Sequence, residues 1–263
     1  MSAQLLEGLS IGAQLLLQLA ARHEYAPLRY ARVPPLGEAD AHLAAAELQE
    51  RGLLKPAEEA PGVLLLTPVG YTLRTTVIAR WGALHEQLRP RLLAHVSELF
   101  KLGPGSLLLE ALHAIDRAWF LPEASQPLAD LDLPIPIGAS SLTTSAPHAI
   151  VAMLRALEPR RGERVLVCGA KAGVTIALCA HVVGPRGRVM GLDPELSTVR
   201  YAATSLQRVI ALPQLAPIEV RCVQDVTLGP GAEEPWDVVI VNGSVPKVPC
   251  DLMAQLSDEG RLL

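Results

Sequence analysis

What the chain lacks narrows its chemistry first. No two cysteines stand at zinc-ligand spacing: Cys168, Cys179, Cys222 and Cys250 lie singly in or beside apolar segments of the second half. No metal site is expected, and the thiols read as buried side chains in a reducing cytoplasm. There is no large excess of charge of one sign. With 23 Lys and Arg against 27 Asp and Glu, the formal charge of -4 gives no global attraction to nucleic acid or to anionic membranes, so such a partner would need a local patch. There is also no unbroken apolar span. The leucine-rich opening, Leu5 to Ala21, has no basic leader and is interrupted by Glu7, Gln14 and Gln18. It reads as a soluble amphipathic helix, with no membrane insertion and a cytoplasmic location.

What the chain has is apolar bulk. Half of its 263 residues are hydrophobic, enough for the core of one large domain or two small ones. Leu9, Ala13, Leu16, Leu17 and Ala20 recur at helical spacing, and a shorter second helix is expected over Leu28 to Val33, ended by Pro34 and Pro35. A third helix, Gly37 to Arg51, places Leu43, Ala44 and Leu48 on one face and meets its C-cap at Gly52. Leu53 and Leu54, a polar turn through Glu58, Glu59, Pro61 and Gly62, and the run Val63 to Leu66 then read as a two-stranded ribbon. Helix, helix, helix, ribbon is the order of a winged-helix module, and the phrases Leu48 to Leu54 and Leu65 to Tyr71 resemble bacterial winged-helix regulators. The third helix carries Glu38, Asp40, Glu47 and Glu50, which would repel phosphates. DNA is therefore an unlikely partner, and a protein-contact or structural role is expected for residues 1–80. A connector over 81–113 follows, within a helical pattern from Thr72 to Leu102 that is expected to split near Pro90 and to end at Gly103-Pro104-Gly105.

The second half alternates strand and helix. The apolar run Val165 to Cys168 meets the turn Gly169-Ala-Lys-Ala-Gly173 and the helical Val174 to Val183. The strand Arg188 to Leu192 ends at Asp193, roughly 20 residues past the glycine turn, the spacing at which an acid meets a ribose hydroxyl. Then come a helix over Leu196 to Val209, the strand Ile218 to Val223 ending at Gln224-Asp225, and the strand Trp236 to Val241 followed by Asn242. Such alternation predicts an α/β, doubly wound, mostly parallel sheet. In an open sheet of this kind ligands lie beyond the C-terminal strand ends, so Gly169, Lys171, Gly173, Asp193, Asp225 and Asn242 are the candidate cofactor contacts.

Several stretches of this half occur in a fixed order: Ala114-Ile-Asp-Arg-Ala-Trp-Phe-Leu-Pro-Glu123, Leu133-Pro-Ile-Pro-Ile-Gly138, Thr143-Thr-Ser-Ala-Pro-His148, Gly162-Glu-Arg-Val-Leu166 and Pro235 to Val241, with Gln255-Leu256 and Gly260 to Leu263 later. In that order they resemble the protein-L-isoaspartate carboxyl methyltransferases. The resemblance covers residues 114–263 and implies a Rossmann-like class I methyltransferase fold that uses S-adenosyl-L-methionine (AdoMet), here without the last two strands. It also implies a protein or peptide substrate, with Thr143 and Ser145 holding the substrate carboxylate and Pro147 and His148 beside it. A carboxylate is already a nucleophile and a sulfonium already a good electrophile, so in-line positioning supplies most of the acceleration.

Two positions depart from the resemblance. The family places an acid on the first strand and a Gly-x-Gly-x-Gly turn beneath the cofactor; here Val167 replaces the acid and Lys171 the middle glycine. A lysine there adds a Cβ penalty and a cation beside a cationic cofactor. A residue also stands inserted between Gly138 and Thr143. Lys171 has two readings of its own, a phosphate holder or a solvent-facing lysine on a relaxed turn, and the second is expected. For His148 and Asp225 a helix-start position and a strand-end cap stand beside roles toward substrate and adenine. Three functions follow: an eroded, weakly active or inactive scaffold or regulator; an active carboxyl O-methyltransferase on isoaspartate or aspartate; or a winged-helix DNA-binding regulator. The apolar surplus adds a homo-oligomer or larger assembly, which light scattering checks.

Overall fold

The computed structural model describes residues 4–10, 13–14, 16–17, 20, 28–29, 38–57, 63–73, 81–137, 142–231 and 235–263. It divides into two compact units, residues 1–95 with 127–133, and residues 96–126 with 134–263. The expected turn over 58–62, the helical residues 30–33 and 74–80, and the inserted residue between Gly138 and Thr143 lie outside the described residues.

In the first unit, Ala13, Gln14, Leu16, Leu17 and Ala20 are helical. Ser10 accepts from the Ala13 amide at 3.1 Å and donates its hydroxyl to Glu47 at 2.6 Å. Leu28–Arg29 is a strand, β1, and not the helix expected there. Leu28 and Arg29 pair antiparallel with Leu64 and Val63, and these long-range ladder bonds override a local apolar pattern compatible with either state. Helix α1 (Glu38–Glu50) ends before Gly52, which sits at φ 64°. Its inward face is Ala41, Ala44, Ala45 and Leu48, whereas Leu43, expected inside, is 71% exposed. β2 (Leu54–Pro56) and β3 (Val63–Leu66) form the expected antiparallel ribbon, and α2 (Pro68–Thr72) follows. Helix α3 (Trp81–Phe100) runs through Pro90 without the expected break.

The second unit is built on one parallel sheet. After α4 (Leu107–Ala114), a 3₁₀ turn (Arg117–Phe120) leads to the short antiparallel pair β4 (Ile135–Pro136) and β5 (Thr143–Thr144). α5 (Pro147–Leu157) starts with proline at its first turn, where no amide bond is lost. Then β6 (Arg164–Cys168), α6 (Val174–Val183), β7 (Arg188–Asp193), α7 (Leu196–Leu206), β8 (Ile218–Cys222), β9 (Trp236–Val241), α8 (Cys250–Met253) and β10 (Leu256–Leu262) follow. The strands lie in the order β10-β9-β6-β7-β8, all parallel. β6 is central, with Val165 paired to Val189 on one side and Val238 on the other. Such a strand is covered on both faces and reads as a continuous apolar run. Every residue of α6 is buried, as a helix apolar on all sides requires.

This is the α/β, mostly parallel fold expected from the alternation of strand and helix. β10 had no apolar run to announce it. Its sequence, Leu-Ser-Asp-Glu-Gly-Arg-Leu, is half-buried and polar, and its pairing with β9 shifts register between Leu256 and Arg261. At the opposite end of the sheet from the strand termini that matter below, Arg164 lies 5.0 Å and Arg188 5.9 Å from the ring centroid of the fully buried Trp236.

Candidate functional site

Four parallel strands deliver their C-terminal ends to one edge of the sheet. In spatial order they carry Asn242 after β9, the Gly169 turn after β6, Asp193 at the end of β7 and Asp225 beyond β8. The turn is tied to its neighbours by main-chain bonds. Gly169 and Ala170 donate to the Leu192 carbonyl at 2.7 and 2.9 Å, and the Asn242 amide donates to the Cys168 carbonyl at 2.8 Å. Gly169 sits at φ 97°, and a Cβ on it would stand 3.0 Å from the Asn242 carbonyl oxygen. Glycine is therefore required twice over, by backbone angle and by close approach. Gly173, also at φ 97°, opens α6.

Between these glycines Lys171 holds φ 48°, a left-handed angle unusual for a residue with a Cβ. Its side chain bonds within the edge, contrary to the expectation of a relaxed, solvent-facing lysine. The side chain is half-buried, and its ammonium donates to Ser145 Oγ at 3.4 Å. Ser145 Oγ donates to Asn242 Oδ1 at 3.3 Å, and Asn242 Nδ2 donates to the Gly169 carbonyl at 3.2 Å. Burial holds the ammonium below the ordinary lysine pKa, opposed by the nearby Asp193 carboxylate. Asp193 is 4% exposed and its two oxygens accept separate amides, Lys171 at 3.2 Å and Glu195 at 3.1 Å. A carboxylate offers about four acceptor positions, so it retains capacity for hydroxyl donors.

The segment over the edge is set by a residue that spacing arguments missed. Arg117 is buried, donating through Nη2 to Thr144 Oγ1 at 2.9 Å and to the Ser145 carbonyl at 3.0 Å. Thr144 Oγ1 donates to that same carbonyl at 3.0 Å. The turn bearing Arg117 is pinned from α7, where Tyr201 donates to the Phe120 carbonyl at 3.1 Å and Arg208 to the Trp119 carbonyl at 2.9 Å. The available signal was an arginine inside the quoted stretch 114–123.

The other expected residues fall as follows. Ser145, Lys171, Asp193, Asn242 and Gly169 are linked within one hydrogen-bonded set, and the Gly173 amide donates to the Ala170 carbonyl at 2.9 Å in the same turn. Thr143 lies in β5, half-buried, and its neighbour Thr144 holds the buried bonds. Pro147 is buried in the first turn of α5 and His148 beside it is exposed. Asp225 is exposed and caps the next turn, accepting from the Thr227 amide at 2.8 Å and hydroxyl at 2.6 Å, which holds its pKa below the ordinary carboxylate value. Val167 is fully buried in β6. Of the cysteines, Cys168 and Cys179 are buried, with thiols pushed up to about 12, but Cys222 and Cys250 are exposed, contrary to expectation. No described helix is long and apolar enough to cross a membrane.

Comparison with known proteins supports the same half of the chain. Residues 96–263 match the family model described as protein-L-isoaspartate(D-aspartate) O-methyltransferase. A protein-L-isoaspartate O-methyltransferase 1 of Archaeoglobus fulgidus is 33% identical over 168 residues, 62% of this chain and 73% of that one. One from Methanothrix thermoacetophila is 34% identical over 156 residues, 59% and 71% of the two chains. A solved protein-L-isoaspartate O-methyltransferase superposes with a TM-score of 0.56 at 24% identity, covering 66% of this chain and 54% of that chain. A Plasmodium falciparum chain described by the same activity and solved with S-adenosyl-L-homocysteine (AdoHcy) gives 0.54 at 19% identity, covering 65% and 80%. At such identities the superpositions show the fold alone, and the chain spans about half the length of the first of these solved relatives.

Proposed function

Because the chain belongs to the protein-L-isoaspartate(D-aspartate) O-methyltransferase family, we propose that its second unit keeps the family's crevice while Lys171 turns it against AdoMet. The domain then acts as a poor or inactive enzyme in a scaffold or regulatory role. The family's methyl donor is AdoMet, which carries a sulfonium and an ammonium. Asp193, Asn242, Gly169 and Gly173 suit a nucleoside-bearing ligand at the strand ends. Two residues do not suit this donor. Val167 places a buried methyl surface where an acid would answer a cation, and the Lys171 ammonium lies 3.4 Å from Ser145 Oγ, itself bonded to Asn242. Like charges a few ångströms apart repel most strongly where water is excluded. The residues present therefore do not fit a cationic cofactor, and no catalytic step is assigned through it.

The single observation carrying this reading is the ammonium 3.4 Å from Ser145 Oγ. A second reading, an active carboxyl O-methyltransferase on protein or peptide isoaspartate or aspartate, is favoured by the retained Ser145 and Asp193. A methyl-transfer assay with labelled AdoMet and an isoaspartyl peptide separates the two. The expected outcome is no methyl ester above background from the unaltered protein. Sustained turnover would sink the eroded-site reading in favour of the second.

A further inference from the structure

The edge has a direction. Parallel strands lie about 4.8 Å apart, so four neighbouring strand ends span roughly 14 Å. Along that edge the exposed acceptor Asp225 comes first, then buried Asp193, then the Gly169 turn with Lys171, then Asn242. A nucleoside laid across it with its ribose hydroxyls at Asp193 sends its base toward Asp225 and its 5′ substituent toward Lys171. The chemistry at the 5′ end is thereby set by a lysine ammonium.

We propose that this edge is a binding site for a nucleoside 5′-phosphate, with Asp193 taking the ribose hydroxyls and Lys171 the phosphate. The proposal rests on the preceding reading of a crevice closed to AdoMet, and extends it by naming what the altered turn accepts. An ammonium has three N–H donors. One points at Ser145 Oγ, whose own proton is committed to Asn242 Oδ1. Among the described residues two remain for anionic oxygens, and a charge-assisted bond to phosphate is shorter and stronger than a neutral one. The Asp193 carboxylate faces the ammonium electrostatically, while its two oxygens take the Lys171 and Glu195 amides. Val167, buried in β6, supplies no carboxylate. A half-buried cation so placed gains a partner when the ligand brings negative charge, gains nothing from a neutral 5′-hydroxyl, and is opposed by a sulfonium.

The test is calorimetric titration of the full chain with AMP, adenosine and AdoMet, on the unaltered protein and on Lys171→Met and Lys171→Arg. AMP is expected to bind at least about tenfold tighter than adenosine, the scale of one charge-assisted phosphate contact. The advantage should vanish in Lys171→Met, persist in Lys171→Arg and shrink with added salt. Should Lys171→Met fail to fold, as judged by circular dichroism, the salt series on the unaltered protein decides alone. Equal affinities for AMP and adenosine, an AMP preference untouched by Lys171→Met, or no binding of either would overturn the proposal. Tight AdoMet binding with AMP silent would overturn this proposal and the preceding one together. Weak AdoMet binding with AMP silent would overturn this one only.

Discussion

Lys171 shows what one residue does when the backbone around it is held by others. Its neighbours Gly169 and Ala170 are bonded to β7 and its own amide to Asp193, its φ is left-handed, and its ammonium donates to Ser145. The substitution was legible in the sequence, but its direction was not. The direction is met by tertiary partners, Asp193 22 residues away for the amide and Ser145 26 residues away for the ammonium. Burial lowers the Lys171 pKa from 10.5, with Asp193 as the charged group facing it. Between the folded value and 10.5 the unfolded chain binds more protons, so this contribution to stability rises with pH across that window. Below the window the cost of the buried charge is present in full. Denaturant melts should therefore show the unaltered protein gaining on Lys171→Met as the pH is raised from neutrality toward 10.5. A gap that stays constant, or that moves the other way, would contradict the buried-charge account.

Among elements, the strands and helices of the second unit were the most legible because their apolar runs match burial on both faces of a parallel sheet. Val174–Val183 and Trp236–Val241 have the expected bounds, and Asp193, Asn242 and the glycine turn arrive together as the strand order requires. Legibility failed where pairing with a distant strand decides. β1 reads as helix until Leu64 and Val63 pair with it, and β10 has no apolar run of its own and is held by its pairing with β9. Arg117 was hidden for a related reason. A buried arginine is found only once Thr144 and the Ser145 carbonyl are seen to receive it. The glycine turn itself is a rigid joint between β6 and α6. Gly169→Ala should destabilise the second unit by about 2 kcal/mol, since the new Cβ meets both a left-handed angle and the Asn242 carbonyl. A urea midpoint equal to that of the unaltered protein would show that the joint yields.

At the scale of the whole molecule, the match to the methyltransferase family begins at residue 96, where the second compact unit begins. Kinship covers the strand ends, the sheet and the segment held by Arg117, and the proposed loss of AdoMet binding turns on two positions within the glycine region. One of them, Val167, is sealed in the sheet, whereas Lys171 is reachable and reversible. The measurement that bears most directly on the central claim is therefore AdoMet affinity in the unaltered chain and in Lys171→Gly, by calorimetry at one pH and salt. The glycine removes the cation and relaxes the left-handed turn in a single change. The account predicts weak or undetectable AdoMet binding by the unaltered protein and a gain of about tenfold or more in the variant, the scale of one like-charge contact removed from a partly buried site. Micromolar binding by the unaltered protein, unchanged by the substitution, would contradict it.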